Sequence, residues 1–163
     1  MRKICADCGK EFEAREAYHR LCPDCWGKQR RGPRFPGDYL KGGYFDEEGQ
    51  VKPAVVDTWA EEVAKVLGRS GITSHQLRRF FNQLRAAEAK LDTQSFSAVR
   101  SDILSLKRDA AYAVGRGVVK DNFKQFIDRN VELAVQDEAS FRKGFIEHFQ
   151  SVLAYFTYHF RNR

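Results

Sequence analysis

The chain has 163 residues, enough for one domain of ordinary size beside a small module. Its 28 Lys and Arg outnumber 22 Asp and Glu, leaving a net charge of +6 and a pI near 9.2, an excess that favours an anionic partner, nucleic acid first. No apolar run approaches the roughly 18 residues of a membrane span, and the N-terminus MRKICADCGK has no apolar signal region, so the expected compartment is the cytoplasm.

Residues 1–35 read as a zinc-ribbon-like module. Cys5, Cys8, Cys22 and Cys25 form two C-x2-C pairs separated by thirteen residues. Each pair can make a tight knuckle that aims two thiolates at one point. Two knuckles close a tetrahedral shell that suits structural zinc and leaves no open position for catalysis. Disulfides or free thiols are the competing readings, and both fit poorly with the absence of a secretory signal. His19, three residues before Cys22, is an alternative ligand. Beyond Trp26 come Lys28, Arg30, Arg31, Arg34 and Phe35, either a flexible nucleic-acid contact or a solubilising linker.

Residues 36–54, PGDYLKGGYFDEEGQVKP and the alanine after it, are rich in Gly and Pro and read as a linker. Tyr39, Leu40, Tyr44 and Phe45 are too apolar for a free tether, so part of it is expected to dock on the helices that follow.

Residues 55–163 read as a bundle of about five helices, making the fold class all-α. The first, 55–67, places Trp59, Val63, Val66 and Leu67 on one side and is ended by Gly68 and Gly71. Thr73-Ser-His-Gln76 is a capping-box pattern opening the second. Its apolar stripe is Leu77, Phe80, Phe81, Leu84 and Leu91, with His75, Arg78, Arg79 and Arg85 on the polar side. The third, 97–117, sets Val99, Ile103, Leu106, Ala110 and Ala113 on one stripe at spacings of four, three, four and three. Arg108, Tyr112 and Arg116 recur every four residues on the far side. That strip is either a solvated surface or a place where phosphates are held and a base is stacked. The fourth helix begins near Asp121, expected as its N-cap, and buries Phe123, Phe126, Ile127, Val131 and Ala134. The fifth, 138–160, carries the stripe Phe141, Phe145, Phe149, Val152, Phe156 and Phe160, expected as core. His148 and His159 share a face, but eleven residues separate them by roughly 16 Å along the axis, so they cannot share a metal.

No catalytic constellation is visible: no H-E-x-x-H, no phosphate-cradling glycine loop, no G-x-S-x-G and no carboxylate pair with signs of burial. The chain is expected not to be an enzyme.

The helical part resembles the small subunit of type III-A CRISPR effector complexes, the Csm complexes. Four stretches carry the resemblance: Asp38-Tyr39 with Gly43-Tyr44-Phe45-Asp46; Ile72-Thr73-Ser74-His75-Gln76-Leu77-Arg78-Arg79-Phe80; Leu106-Lys107 with Ala111-Tyr112-Ala113 and Gly115-Arg116; and Ala154-Tyr155-Phe156. They span about 35–163 in the family's order. The cysteine module is an extension outside the family pattern, and Gln150-Ser151 stands where a Glu-Ala pair is expected. The resemblance implies a non-catalytic helical subunit, several copies of which stack into a filament beside the other Csm subunits, along guide RNA and its bound target RNA. It points to Arg78, Arg79, Lys107 and Arg116 as RNA contacts; Arg108 joins them on geometry, and Tyr112 on both grounds. Two other classes stay open on the sequence: a zinc-ribbon DNA-binding transcriptional regulator with a helical dimerisation domain, and a helical protein–protein adaptor.

Overall fold

The computed structural model describes residues 1–31 and 34–161, with the side chains of 28–31 excepted. Contacts divide the chain into two units, Met1–Arg34 and Phe35–Arg163. The first is built from two short strands, β1 (Arg2–Ile4) and β2 (Glu11–Glu13), paired antiparallel with Lys3 opposite Phe12, followed by helix α1 (Pro23–Arg31). Pro23 suits the first turn of a helix, where its missing N–H would have no partner.

The second unit is helical: α2 (Pro53–Val56), α3 (Thr58–Arg69), α4 (Ser74–Lys90), α5 (Phe96–Gly115), α6 (Asp121–Ala134) and α7 (Ile146–His159). A π-helical turn, Ser140–Phe145, leads into α7. α3 and α4 pack on α7, α5 packs on α4 and α6, and α6 packs on the π turn. Among the described residues, no helix is long and apolar enough to cross a membrane.

The apolar stripes read from spacing are the core. Val99, Ile103, Leu106 and Ala110 are 2 % exposed or less, as are Phe123, Phe126, Ile127, Val131 and Ala134. The phenylalanines of the last helix show why a π turn is needed. Phe141, Phe145 and Phe149 repeat every four residues, whereas an α-helix turns in 3.6, so such a stripe drifts round the helix. The wider π turn takes up that drift, and all three rings are fully buried.

Three end signals play other parts than spacing suggested. Lys120, not Asp121, occupies the N-cap of α6, and Asp121 is its first helical residue. Gly68 does not end α3, which continues to Arg69. It lets the Phe160 ring approach, since a Cβ there would lie 2.1 Å from that ring. α5 begins one residue earlier than expected, capped by the Ser95 hydroxyl, which accepts from the Ala98 amide at 3.3 Å. The Thr73 capping box forms: its hydroxyl accepts from the Gln76 amide at 3.2 Å, and the Gln76 side chain accepts from the Thr73 amide at 2.9 Å.

Residues 36–54 are part of the helical unit and not a tether to it. Tyr39, Tyr44 and Leu40 are 0, 2 and 7 % exposed. The Tyr44 ring seats against Gly144, where a Cβ would come within 2.3 Å of it. Both hydroxyls are thereby taken from water and must find partners. His148 Nδ1 lies 2.6 Å from the Val55 carbonyl, which can only accept, so Nδ1 carries the proton. Nε2 is then an acceptor and receives the Tyr39 hydroxyl hydrogen at 2.7 Å. The Tyr39 oxygen accepts in turn from Asn130 Nδ2 at 3.0 Å, and the same amide donates to the Phe126 carbonyl at 2.8 Å. Asn130 Oδ1 accepts from the Tyr44 hydroxyl at 2.7 Å. Every donor and acceptor orientation follows from the one fixed carbonyl.

This network needs a neutral imidazole. A proton on Nε2 would turn the Tyr39 hydroxyl towards the Asn130 amide, donor against donor. Burial pushes the His148 pKa down to about 4, against a smaller opposing pull from the Val55 carbonyl. Unfolded histidine titrates near 6.5, so the unfolded state takes up its proton first as pH falls. The contribution is complete above pH 6.5 and is lost progressively down to about pH 4, worth roughly 3 kcal/mol. Denaturant unfolding at stepped pH should show this slope in the wild type and a much flatter one in His148→Gln. Parallel profiles would contradict the assignment.

Candidate metal centre and nucleic-acid interface

The two C-x2-C pairs come together. The four sulfur atoms of Cys5, Cys8, Cys22 and Cys25 all lie within 4.8 Å of one another. Backbone bonds hold the knuckles: the Cys5 amide donates to the Lys10 carbonyl at 2.9 Å, the Gly9 amide to Cys5 at 3.0 Å, and the Ala6 amide to Arg20 at 2.9 Å. Cys5, Cys22 and Cys25 are buried against Phe12 and Leu21, and Cys8 is exposed. Cys8 and Cys22 sulfurs are 3.8 Å apart. That is far too long for a disulfide, and it is about the separation that four sulfurs take around one tetrahedral ion with bonds of ~2.3 Å. The Cys22 amide points at Cys5 Sγ from 3.3 Å. That N–H, with a second from Cys8, lowers the Cys5 thiol to about 6 despite its burial, while the neighbouring thiols push Cys25 up. Such a set cannot ionise together unless a cation neutralises it. The donors, spacing and backbone support therefore fit a metal ion. His19 is not part of this group; its ring packs between Tyr18 and Trp26. Among the cations that follow the second knuckle, the side chains of Lys28, Arg30 and Arg31 lie outside the described residues, and Arg34 is exposed.

In the helical unit, α4 and α5 enclose a cleft of about 300 Å³. Arg79 enters from α4; Tyr112 comes from α5 and Arg116 from its C-cap. The Arg116 guanidinium stands 5.6 Å from the centre of the Tyr112 ring, which is 66 % exposed. Val118, Val119, Phe80 and Ala113 supply its apolar lining. Among the described residues, neither Arg79 nor Arg116 forms an ion pair.

The other expected contacts stand apart from this cleft. Arg78 is exposed and likewise forms no ion pair among the described residues. Lys107 pairs with Glu132 of α6 at 3.4 Å. Arg108, at 78 % side-chain exposure, leans on Asp109 at 3.4 Å. Arg85 pairs with Glu88 at 2.6 Å. Three cleft residues escape a search for cations alone: Gln76, Gln83 and Asp109. Gln83 donates to the Asp109 carboxylate at 3.0 Å, and Gln76 donates to the Val118 carbonyl at 3.3 Å, bracing the two ends of the cleft. A signal for them exists. Gln76, Arg79 and Gln83 are spaced by three and four, as are Asp109, Tyr112 and Arg116. Each trio is one helix face, and the two faces oppose each other.

The family model described as Csm2 Type III-A matches residues 50–161. The cysteine unit and the stretches around Tyr39 and Tyr44 lie before the matched residues. No curated protein and no solved structure matches the chain significantly. The match takes in α2 through α7 and both walls of the cleft. The chain therefore belongs to the Csm2 Type III-A family and is a small subunit of a type III-A CRISPR effector, the Csm complex.

Proposed function

We propose that the chain is a non-catalytic scaffold subunit that holds guide RNA and target RNA within the Csm ribonucleoprotein, in the cytoplasm, with copies of itself stacked along the duplex. The observation that carries this reading is the convergence of Arg79, Tyr112 and Arg116 on one cleft, with both guanidinium groups free of ion pairs among the described residues. Two such forks suit adjacent phosphates, and the exposed Tyr112 ring offers a face to a base or ribose. Arg78, Lys107 and Arg108, outside the cleft, add further phosphate contacts; Lys107 and Arg108 trade an intramolecular carboxylate for a phosphate on binding. Charge, not base identity, supplies the affinity, because pairing with the guide supplies the sequence.

In the N-terminal unit, Cys5, Cys8, Cys22 and Cys25 hold structural zinc. The ion supplies the cross-link that so short a segment, with almost no apolar core, cannot supply by packing.

Two experiments test this. RNA affinity is measured across a salt series for the wild type and for Arg79→Ala/Arg116→Ala. The variant should stay folded and lose about two from the slope of log affinity against log salt; an unchanged slope and affinity would remove the cleft from the site. Elemental analysis of protein purified without chelator should give one zinc per chain. Cys22→Ser should lose it together with the order of residues 1–34, while the melting of the helical unit is kept. Metal-free wild-type protein would overturn the zinc assignment.

A further inference from the structure

The cysteine unit carries a second feature that the metal-ligating sulfurs do not use. A pocket of about 620 Å³ opens on its surface, within the range of about 300–1,000 Å³ that ligand sites occupy. Four aromatic residues line it, Phe12, Tyr18, His19 and Trp26. Tyr18 is 76 % exposed and Trp26 is 47 % exposed. His19 stands between them, its ring 4.9 Å from Tyr18 at 83° and 6.2 Å from Trp26.

The backbone that carries the rings is braced by hydrogen bonds. The His19 amide closes a turn on the Glu16 carbonyl at 3.1 Å, and the Arg20 carbonyl accepts from Ala6 at 2.9 Å, which fastens this loop to the first knuckle. The Trp26 amide donates to the Cys22 carbonyl at 2.9 Å, which ties the backbone that carries the indole to the second knuckle. An ordered cysteine cluster therefore orders the pocket.

Its charge selects the partner. Arg15 and Arg20 line the same pocket, with Glu13 its one carboxylate among the described residues. Neither arginine forms an ion pair among the described residues. Residues 1–34 hold nine Lys and Arg against five Asp and Glu. The balance stays positive even after the two negative charges that four thiolates leave around a divalent ion. Exposed rings beside unpaired guanidinium groups match the make-up of a single-strand platform. Every base has a π face to stack, and the phosphates on either side of it need cations. A duplex hides those faces.

We propose that the Tyr18–His19–Trp26 pocket stacks an unpaired base of single-stranded RNA, with Arg15 and Arg20 on the flanking phosphates. This site is separate from the cleft between α4 and α5 and takes unpaired RNA.

Full-length metal-loaded protein is titrated with an oligouridylate of about ten nucleotides and with an RNA duplex of equal length. Trp26 reports directly, because the other tryptophan, Trp59, is only 5 % exposed. Quenching of tryptophan emission by the oligouridylate is expected. Tyr18→Ala should keep its metal and lose about tenfold in single-strand affinity with duplex affinity unchanged. Trp26→Phe should keep the affinity and lose the quenching. Arg79→Ala/Arg116→Ala should lower duplex affinity and leave the quenching intact, so the two sites fail separately. Absent quenching, an equal loss on both RNAs, or preference for an acidic peptide that the oligouridylate does not compete would overturn the proposal.

Discussion

His148 Nδ1 donates to one backbone carbonyl at 2.6 Å, and that bond orients the buried polar chain that runs through Tyr39 and Asn130 to Tyr44. The chain links three parts of the sequence: the segment before α2, the middle of α6 and the start of α7. In a low-dielectric interior such a network is costly if half made and directive if complete. Here each described member has its partner. It fixes α6 against α7 together with the phenylalanines of the π turn. α5 packs on α6 and α4 packs on α7, so the spacing of α4 and α5, and with it the cleft they enclose, depends on that arrangement.

The cleft itself is a matter of which charges are already spent. A net charge of +6 says little about where an anion binds, because many surface cations are occupied. Lys107, Arg108 and Arg85 each sit near a carboxylate of the same chain, at 3.4, 3.4 and 2.6 Å. Exposed pairs of this kind contribute little to stability and are easily exchanged. Arg79 and Arg116 have no such neighbour among the described residues, and Arg116 is steadied by the Tyr112 ring. Within the cleft, then, both guanidinium groups carry no ion pair among the described residues, whereas Lys107, Arg108 and Arg85 outside it each have one.

Much of this was legible in the residues. Helical spacing gave the core stripes because burial enforces the period directly. The C-x2-C pairs gave the four-cysteine cluster because a tetrahedral shell dictates its own spacing. What spacing cannot give is a partner distant in sequence. Tyr39 and His148 lie 109 residues apart, and nothing local marks either as half of a pair. The Pro- and Gly-rich composition of 36–54 argued for a linker and its aromatic residues for docking on the helices, and Tyr39 and Tyr44 are buried there. The six expected RNA contacts were chosen by helix-face geometry and resemblance, and neither tells which cations already have a carboxylate of the same chain beside them. Folding separates Arg79, Tyr112 and Arg116 from Arg78, Lys107 and Arg108, and brings in Gln76, Gln83 and Asp109, which a search for cations passes over.

The central claim is that the cleft between α4 and α5 is the RNA-facing side of this subunit. The most direct measurement is photo-crosslinking in the assembled effector carrying labelled guide and target RNA. A crosslinking amino acid replaces Tyr112 in one preparation and the exposed Thr157 of α7 in another. Position 112 should capture RNA and position 157 should not. Capture of RNA at 157, with only protein captured at 112, would contradict the claim.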